Sequence, residues 1–261
     1  MFIYDMHAHV FPDKIAQKAA NSIGGFYSLH MDCDGTVKQL IEEETSCGIS
    51  RMCIYSVAMN VHSMQSINKF IHSQLVEHPD LFTGMAAIHP DYEDIDSLID
   101  EVKAAGFKGF KIHPDMQQFA LDEKRSMDMF AAIEGRMPII IHTGDSRFNY
   151  SHPKQMAKVL DAFPNLVCVC AHMGGWSEWD DAWKALSKYD NVYVDTSSSL
   201  YAMTPEHAAE IIHHFAIERV MFGTDYPMWN ARDELKRIAA VPLTDREREL
   251  IMGKNALALL G

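Results

Sequence analysis

Fourteen histidines stand among the 261 residues of this chain, and several fall where short apolar runs end. His7 and His9 follow FIYDM, Lys111 and His113 close FKGFKI, His142 follows PIII, His172 follows VCVCA, and Asp225 comes just after RVMFG. Alternate side chains of an extended segment share a face, so His7 and His9 project together, about 7 Å apart along the chain. Imidazole nitrogens joined by a carboxylate oxygen are the donors that a catalytic Zn²⁺ or similar ion takes while keeping one position for water. A single histidine at a strand end is more often a hydrogen-bonded core residue. Several together are different, because each imidazole buried without a partner costs about 1–3 kcal/mol and a shared cation satisfies them all at once.

Such a convergence needs a scaffold that delivers many strand ends to one opening. Eight β-branched runs, near 2–7, 51–57, 82–88, 107–112, 138–142, 166–171, 191–195 and 219–223, start about 31 residues apart, the length of a strand–helix–strand unit. Helical spacing fills the intervals, as in 36–47 before Gly48 and 94–105 before Gly106, where glycine takes the left-handed stop conformation. The pattern predicts an α/β fold, a (β/α)8 TIM barrel in one domain covering 1–261, whose reactive groups gather at the C-terminal strand ends. A doubly wound sheet would put a Gly-rich phosphate loop after its first strand, where this chain has His-Ala-His. The connection 10–35 is the longest and is expected to hold a short helix over the barrel mouth.

Parity along the strands places further residues. Asp5 shares the parity of His7 and His9 and is expected inside the barrel, accepting an imidazole N–H. Cys168 and Cys170 are expected to fill the barrel core. Asp195 and Ser197–Ser199 end the seventh strand, where capping and substrate contact are both open to them. Arg147, in the loop after the fifth strand, can grip a substrate carboxylate with its bidentate fork.

Composition limits the partners. A formal charge of −13 without a Lys/Arg cluster argues against nucleic acid and anionic lipid, and no apolar run approaches 18 residues. Five cysteines without CxxC spacing read as free thiols of a reducing compartment, and the N-terminal stretch lacks a basic leader, so a cytoplasmic location is expected. The partner expected is a small-molecule substrate, with self-association into a homo-oligomer left open.

Taken in order, Asp5-x-His7-x-His9, Gly109-Phe-Lys111-x-His113-Pro, His142-Thr-Gly, His172-Met-Gly-Gly and Phe222-Gly-Thr-Asp225-Tyr-Pro resemble the amidohydrolase superfamily. The likeness is to its amidohydrolase-related branch of TIM-barrel metal-dependent hydrolases, which includes decarboxylases of the aminocarboxymuconate-semialdehyde type. The resemblance implies that His7, His9, His142 and Asp225 hold a divalent metal, with zinc first and manganese or iron as alternatives. It implies that His172 and Asp225 handle protons at the metal-bound water. Lys111 is either a carbamylated bridge between two metals or an anchor for a substrate anion; the shorter branch favours the anchor and one metal per chain.

The leading expectation is therefore a metal-dependent hydrolase of a lactone, ester or amide that uses a metal-activated water. The alternative from another class is a metal-dependent non-oxidative decarboxylase of a small carboxylated molecule. A nuclease of the TatD type ranks below both because of the charge, and a purely metal-binding barrel would have no need of both His172 and Asp225. The metal reading predicts that the purified protein carries a divalent ion and that His7→Ala or His9→Ala removes most of it, as read by elemental analysis; unchanged affinity in the His9 variant would refute it.

Overall fold

The computed structural model describes all of residues 1–261. Eight parallel strands follow one another around the sheet in chain order: β1 (Tyr4–His9), β2 (Arg51–Tyr55), β3 (Phe82–Ala87), β4 (Gly109–Ile112), β5 (Ile139–Ile141), β6 (Cys168–Cys170), β7 (Val192–Asp195) and β8 (Val220–Met221). The ring closes between β1 and the segment after β8: Met6 N donates to Phe222 O at 2.9 Å, Asp225 N to His7 O at 2.8 Å and His9 N to Tyr226 O at 2.7 Å. The TIM barrel expected from the sequence is thus present, and its seam runs beside the first histidine pair.

Helices cover the outside: α1 (Asp13–Tyr27), α2 (Val37–Ser46), α3 (Val61–Glu77), α4 (Ile95–Ala104), α5 (Pro114–Gln117), α6 (Lys124–Ile133), α7 (Pro153–Ala162), α8 (Trp179–Leu186), α9 (Pro205–His214), α10 (Ala231–Ala240), α11 (Asp245–Glu249) and α12 (Asn255–Leu260). Local chemistry sets their ends. Thr36 caps α2 by accepting from Gln39 N, Asp94 caps α4 by accepting from Ser97 N, and Gly48 and Gly106 stop the chain at φ +85° and +84°.

The core has two parts. A large layer lies between strands and helices, and a smaller cluster inside the barrel contains Tyr4, Met6, Cys53, Tyr55, Met85, Ile140, Val169, Ala171 and Met221, plugged from below by Ala256 and Leu260 of α12. This corrects two expectations based on parity. The β1–β2 register shifts between Asp5 and Ala8, so Tyr4 and Met6 point inward below the bulge while Ala8 and Val10 pack outward above it. His7 and His9 still face the mouth, but Asp5 turns away from them: its carboxylate accepts from His7 N (2.9 Å), Thr224 N (2.9 Å) and Thr224 Oγ1 (2.6 Å) and locks the seam. Likewise Val169 and Ala171, not Cys168 and Cys170, face the interior, because alternation breaks at His172, where φ is +60°.

The long connection holds more helix than expected. α1 runs for 15 residues and includes Gly24-Gly25. Gly24 is buried under the returning chain, and a Cβ there would meet Leu29 O at 2.8 Å and Met31 Cγ at 3.0 Å, whereas a Cβ on Gly25 meets nothing within 4 Å. The space at Gly24, not flexibility, accounts for the residue. Gly24→Ala should cost about 1–3 kcal/mol and lower Tm by several degrees, while Gly25→Ala should leave Tm unchanged or raise it. Thermal unfolding that ranks the two the other way would contradict this packing.

Candidate active site

His7 is the centre of the arrangement. Its Nδ1 lies 3.0 Å from Asp195 Oδ2, an oxygen that can only accept, so Nδ1 carries a hydrogen and Nε2 of the neutral ring presents a lone pair. That lone pair faces His9 Nε2 at 3.2 Å and Asp225 Oδ1 at 3.2 Å, and His9 Nε2 is 3.7 Å from the same oxygen. Two imidazole nitrogens and a carboxylate oxygen thus converge with no hydrogen required between His7 and Asp225, which is the donor set of a divalent cation. All three residues are nearly or fully buried.

Electrostatics agrees with this geometry. Burial would raise the Asp225 and Asp195 carboxyls, but positive charge at His7 outweighs it and holds both well below the usual carboxylate range. Burial and the Lys111 ammonium push His7 down, yet Asp195 and Asp225 together raise it above its ordinary value: the pocket of acceptors calls for positive charge. Burial pushes His9 and His142 well below theirs and His172 down to about 4, leaving neutral rings with lone pairs to give.

A second chain of imidazoles runs from β7 to β4. His172 Nδ1 donates to Ser197 O (3.1 Å), so its Nε2 accepts from His142 Nδ1 (3.0 Å). His142 Nε2 is therefore a bare lone pair; it has no hydrogen-bond partner and lies 3.8 Å from Asp115 Oδ2. The His142 ring stacks on His113 with centroids 3.8 Å apart. Lys111, fully buried with its Nζ unpartnered 4.9 Å from the Tyr55 ring centroid, is pushed down to about 8 by burial.

These groups border one cavity of about 200 Å³. His9, Lys111, His142, His172 and Asp225 form its floor with His113, and α1, Met31, Met59, Met116 and Met228 supply apolar walls. His172, Ser198 and Asp225 all hold positive φ (60°, 43° and 63°), backbone strain gathered where β6, β7 and β8 open onto the cavity.

The structure thus brings His7, His9 and Asp225 together and sets His142 and His172 beside them. It places Arg147 elsewhere. The guanidinium forks onto its neighbour Asp145 (2.8 and 2.6 Å), donates to Phe26 O at 2.6 Å and does not line the cavity. Arg147 thereby ties the end of α1 to the β5 loop. Sequence reasoning left Asp195 and Ser198 undecided and passed over Asp115 and Tyr27. Asp195 takes the imidazole N–H expected of Asp5, and Ser198 Oγ donates to Asp225 Oδ2 while accepting from Trp229 Nε1 at 2.9 Å. The repeat of IHPD at 88–91 and 112–115 marked Asp115; nothing local marked Tyr27, which reaches the mouth only through the fold of α1.

A family model described as amidohydrolase matches residues 4–261. Among curated proteins, the decarboxylase orsB of Emericella nidulans is 26% identical over 125 residues, which is 40% of this chain and 37% of that protein. A solved 2,6-dihydroxybenzoate decarboxylase in complex with 2,6-dihydroxybenzoate superposes with TM-score 0.74 at 18% identity, covering 100% of this chain and 99% of that one. The 5-carboxyvanillate decarboxylase of Novosphingobium aromaticivorans, complexed with manganese and 4-hydroxy-3-methoxy-5-nitrobenzoic acid, does so with TM-score 0.75 at 17% identity, covering 99% and 96%. At these identities the structural likeness shows the shared fold. The expectation of a hydrolase is corrected by these relatives, which are decarboxylases; a metal-binding cluster of histidines with a carboxylate does not by itself specify attack by water. No helix is long and apolar enough to cross a membrane.

The role of Asp195 can be checked directly. Asp195→Asn replaces the charged acceptor of His7 Nδ1–H and should weaken divalent-ion binding by about 10- to 100-fold with the barrel intact. Calorimetry giving wild-type affinity would contradict it.

Proposed function

The chain belongs to the amidohydrolase family, and on that premise we propose that it is a metal-dependent non-oxidative decarboxylase of a small carboxylated molecule, with a hydroxylated aromatic acid as the substrate class. The observation that carries the reading is Lys111: an ammonium with no protein partner, fully buried on the floor of a largely apolar cavity beside the histidine–carboxylate cluster. A buried ammonium without a hydrogen-bond partner is satisfied by an anionic acceptor, and a compact acid with an apolar body meets both the donor and the walls.

In this proposal one divalent ion is held by His7, His9 and Asp225, with His142 as fourth ligand through its unpartnered Nε2. Bound there, the ion supplies a fixed positive charge for negative charge that develops on the substrate. Manganese or zinc suits the donor set. The chain's own residues do the rest. Lys111 orients the carboxylate, and the methionine walls favour exchange of a strongly hydrated anion for neutral, apolar CO₂. The bond to the carboxylate carbon breaks, its electron pair stays on the ring carbon, and that carbon takes a proton. His172 is the proton-handling group: Asp225 favours its protonated ring, Ser197 O holds its Nδ1, and Nε2 takes up and releases the proton when the His142 Nδ1–H turns away from it. The five free cysteines support the cytoplasm as its location.

The test is turnover of 2,6-dihydroxybenzoate and 5-carboxyvanillate by the manganese-loaded protein in D₂O. Expected are CO₂ and one deuterium at the vacated ring carbon, and Lys111→Met should raise KM by about tenfold or more. Product acid labelled from H₂¹⁸O without CO₂ release, or an unchanged KM in the variant, would contradict the reading.

A further inference from the structure

Tyr27, at the end of α1, lines the cavity and has a hydroxyl whose hydrogen is free. The reason lies in His113. His113 caps α5 by accepting the Met116 N–H on Nδ1 at 3.3 Å, so Nδ1 bears a lone pair. The hydrogen of that imidazole is then on Nε2, which lies 2.6 Å from the Tyr27 hydroxyl oxygen. Nε2 donates and Tyr27 accepts. No other protein group is within hydrogen-bond reach of this hydroxyl, so its own hydrogen remains unspent beside the cavity.

The ring that carries the hydroxyl is held on several sides. Trp176 meets it edge-on at 4.9 Å, the Arg147 guanidinium lies 5.1 Å from its centroid, and Arg147 also binds the carbonyl of Phe26 next door at 2.6 Å. A polar donor fixed this firmly at the rim of a mostly apolar cavity has one use, to be met by an acceptor on what enters.

We infer that Tyr27 is a substrate-recognition residue, donating its hydroxyl hydrogen to an anionic oxygen of the ligand, with His113 as the positioning residue that fixes the direction of that donation. Together with the Lys111 ammonium it gives the cavity two donors of different origin, one from the barrel floor and one from the helix over the mouth. This deepens the proposed decarboxylation by naming a second contact to the substrate's anionic oxygens, and takes from that reading only the carboxylate nature of the ligand.

The experiment measures binding, not turnover. Manganese-loaded wild type and Tyr27→Phe are titrated by calorimetry with benzoate and with nitrobenzene, its uncharged isostere and a weak acceptor, after thermal unfolding has shown the variant to be folded. Tyr27→Phe should weaken benzoate about tenfold or more and leave nitrobenzene within about twofold, since a bond to a charged group is lost and the ring is kept. Loss of both ligands in equal measure, or of neither, would overturn the assignment. Nitrogen-15 NMR of His113 supplies an independent readout: hydrogen on Nε2 supports the direction of donation, and hydrogen on Nδ1 overturns it. Benzoate binding that depends on Tyr27 in a protein that decarboxylates no acid would sink the proposed reaction and leave this assignment standing.

Discussion

Everything at the open end of the barrel follows from one contact: the bare Nε2 of His7 set 3.2 Å from a carboxylate oxygen of Asp225. Two acceptors at that separation repel unless positive charge lies between them, and Asp195, by fixing the hydrogen on Nδ1, leaves Nε2 as the atom that meets this charge, whether a proton or a metal ion. The fold holds the contact in place. β1 supplies His7, the chain after β8 supplies Asp225, and these two segments close the ring through backbone bonds that include Asp225 N to His7 O. The seam that completes the barrel and the site that demands a cation are built from the same residues. Asp5 and Thr224 stiffen that seam from the outer side, where the carboxylate is spent on backbone and hydroxyl donors and is not offered to the imidazole.

Much of this was legible in the sequence because it is periodic. Apolar runs about 31 residues apart gave eight strands, Thr36 and Asp94 marked helix starts, and Gly48 and Gly106 marked stops. His7 and His9 could be paired from alternation alone. What alternation could not show is where it fails. The bulge after Asp5 reverses the facing of the residues below it, and the left-handed turn at His172 separates that ring from the parity of Cys168 and Cys170. Both breaks lie beside the site, where the backbone bends to aim side chains that a regular strand would point elsewhere.

The remaining gaps are long-range. Arg147 carries the fork suited to a carboxylate, yet its position beside Asp145 spends that fork within its own loop and makes it a tie for α1. Tyr27 lies 86 positions before the histidine that orients it. Chemistry read from residue type survives only when the fold leaves the group unpaired; Lys111 is left so and Arg147 is not. The distinction between hydrolysis and decarboxylation is of the same kind, since metal ligands and a proton-handling imidazole are common to both and the cavity that receives the substrate is assembled from scattered loops.

The most direct measurement is anomalous diffraction at the manganese edge from crystals of the metal-loaded protein. The account predicts one peak per chain, in the space bounded by His7 Nε2, His9 Nε2 and Asp225 Oδ1. No peak there, or a peak confined to the His113, Asp115 and His142 cluster, would contradict it.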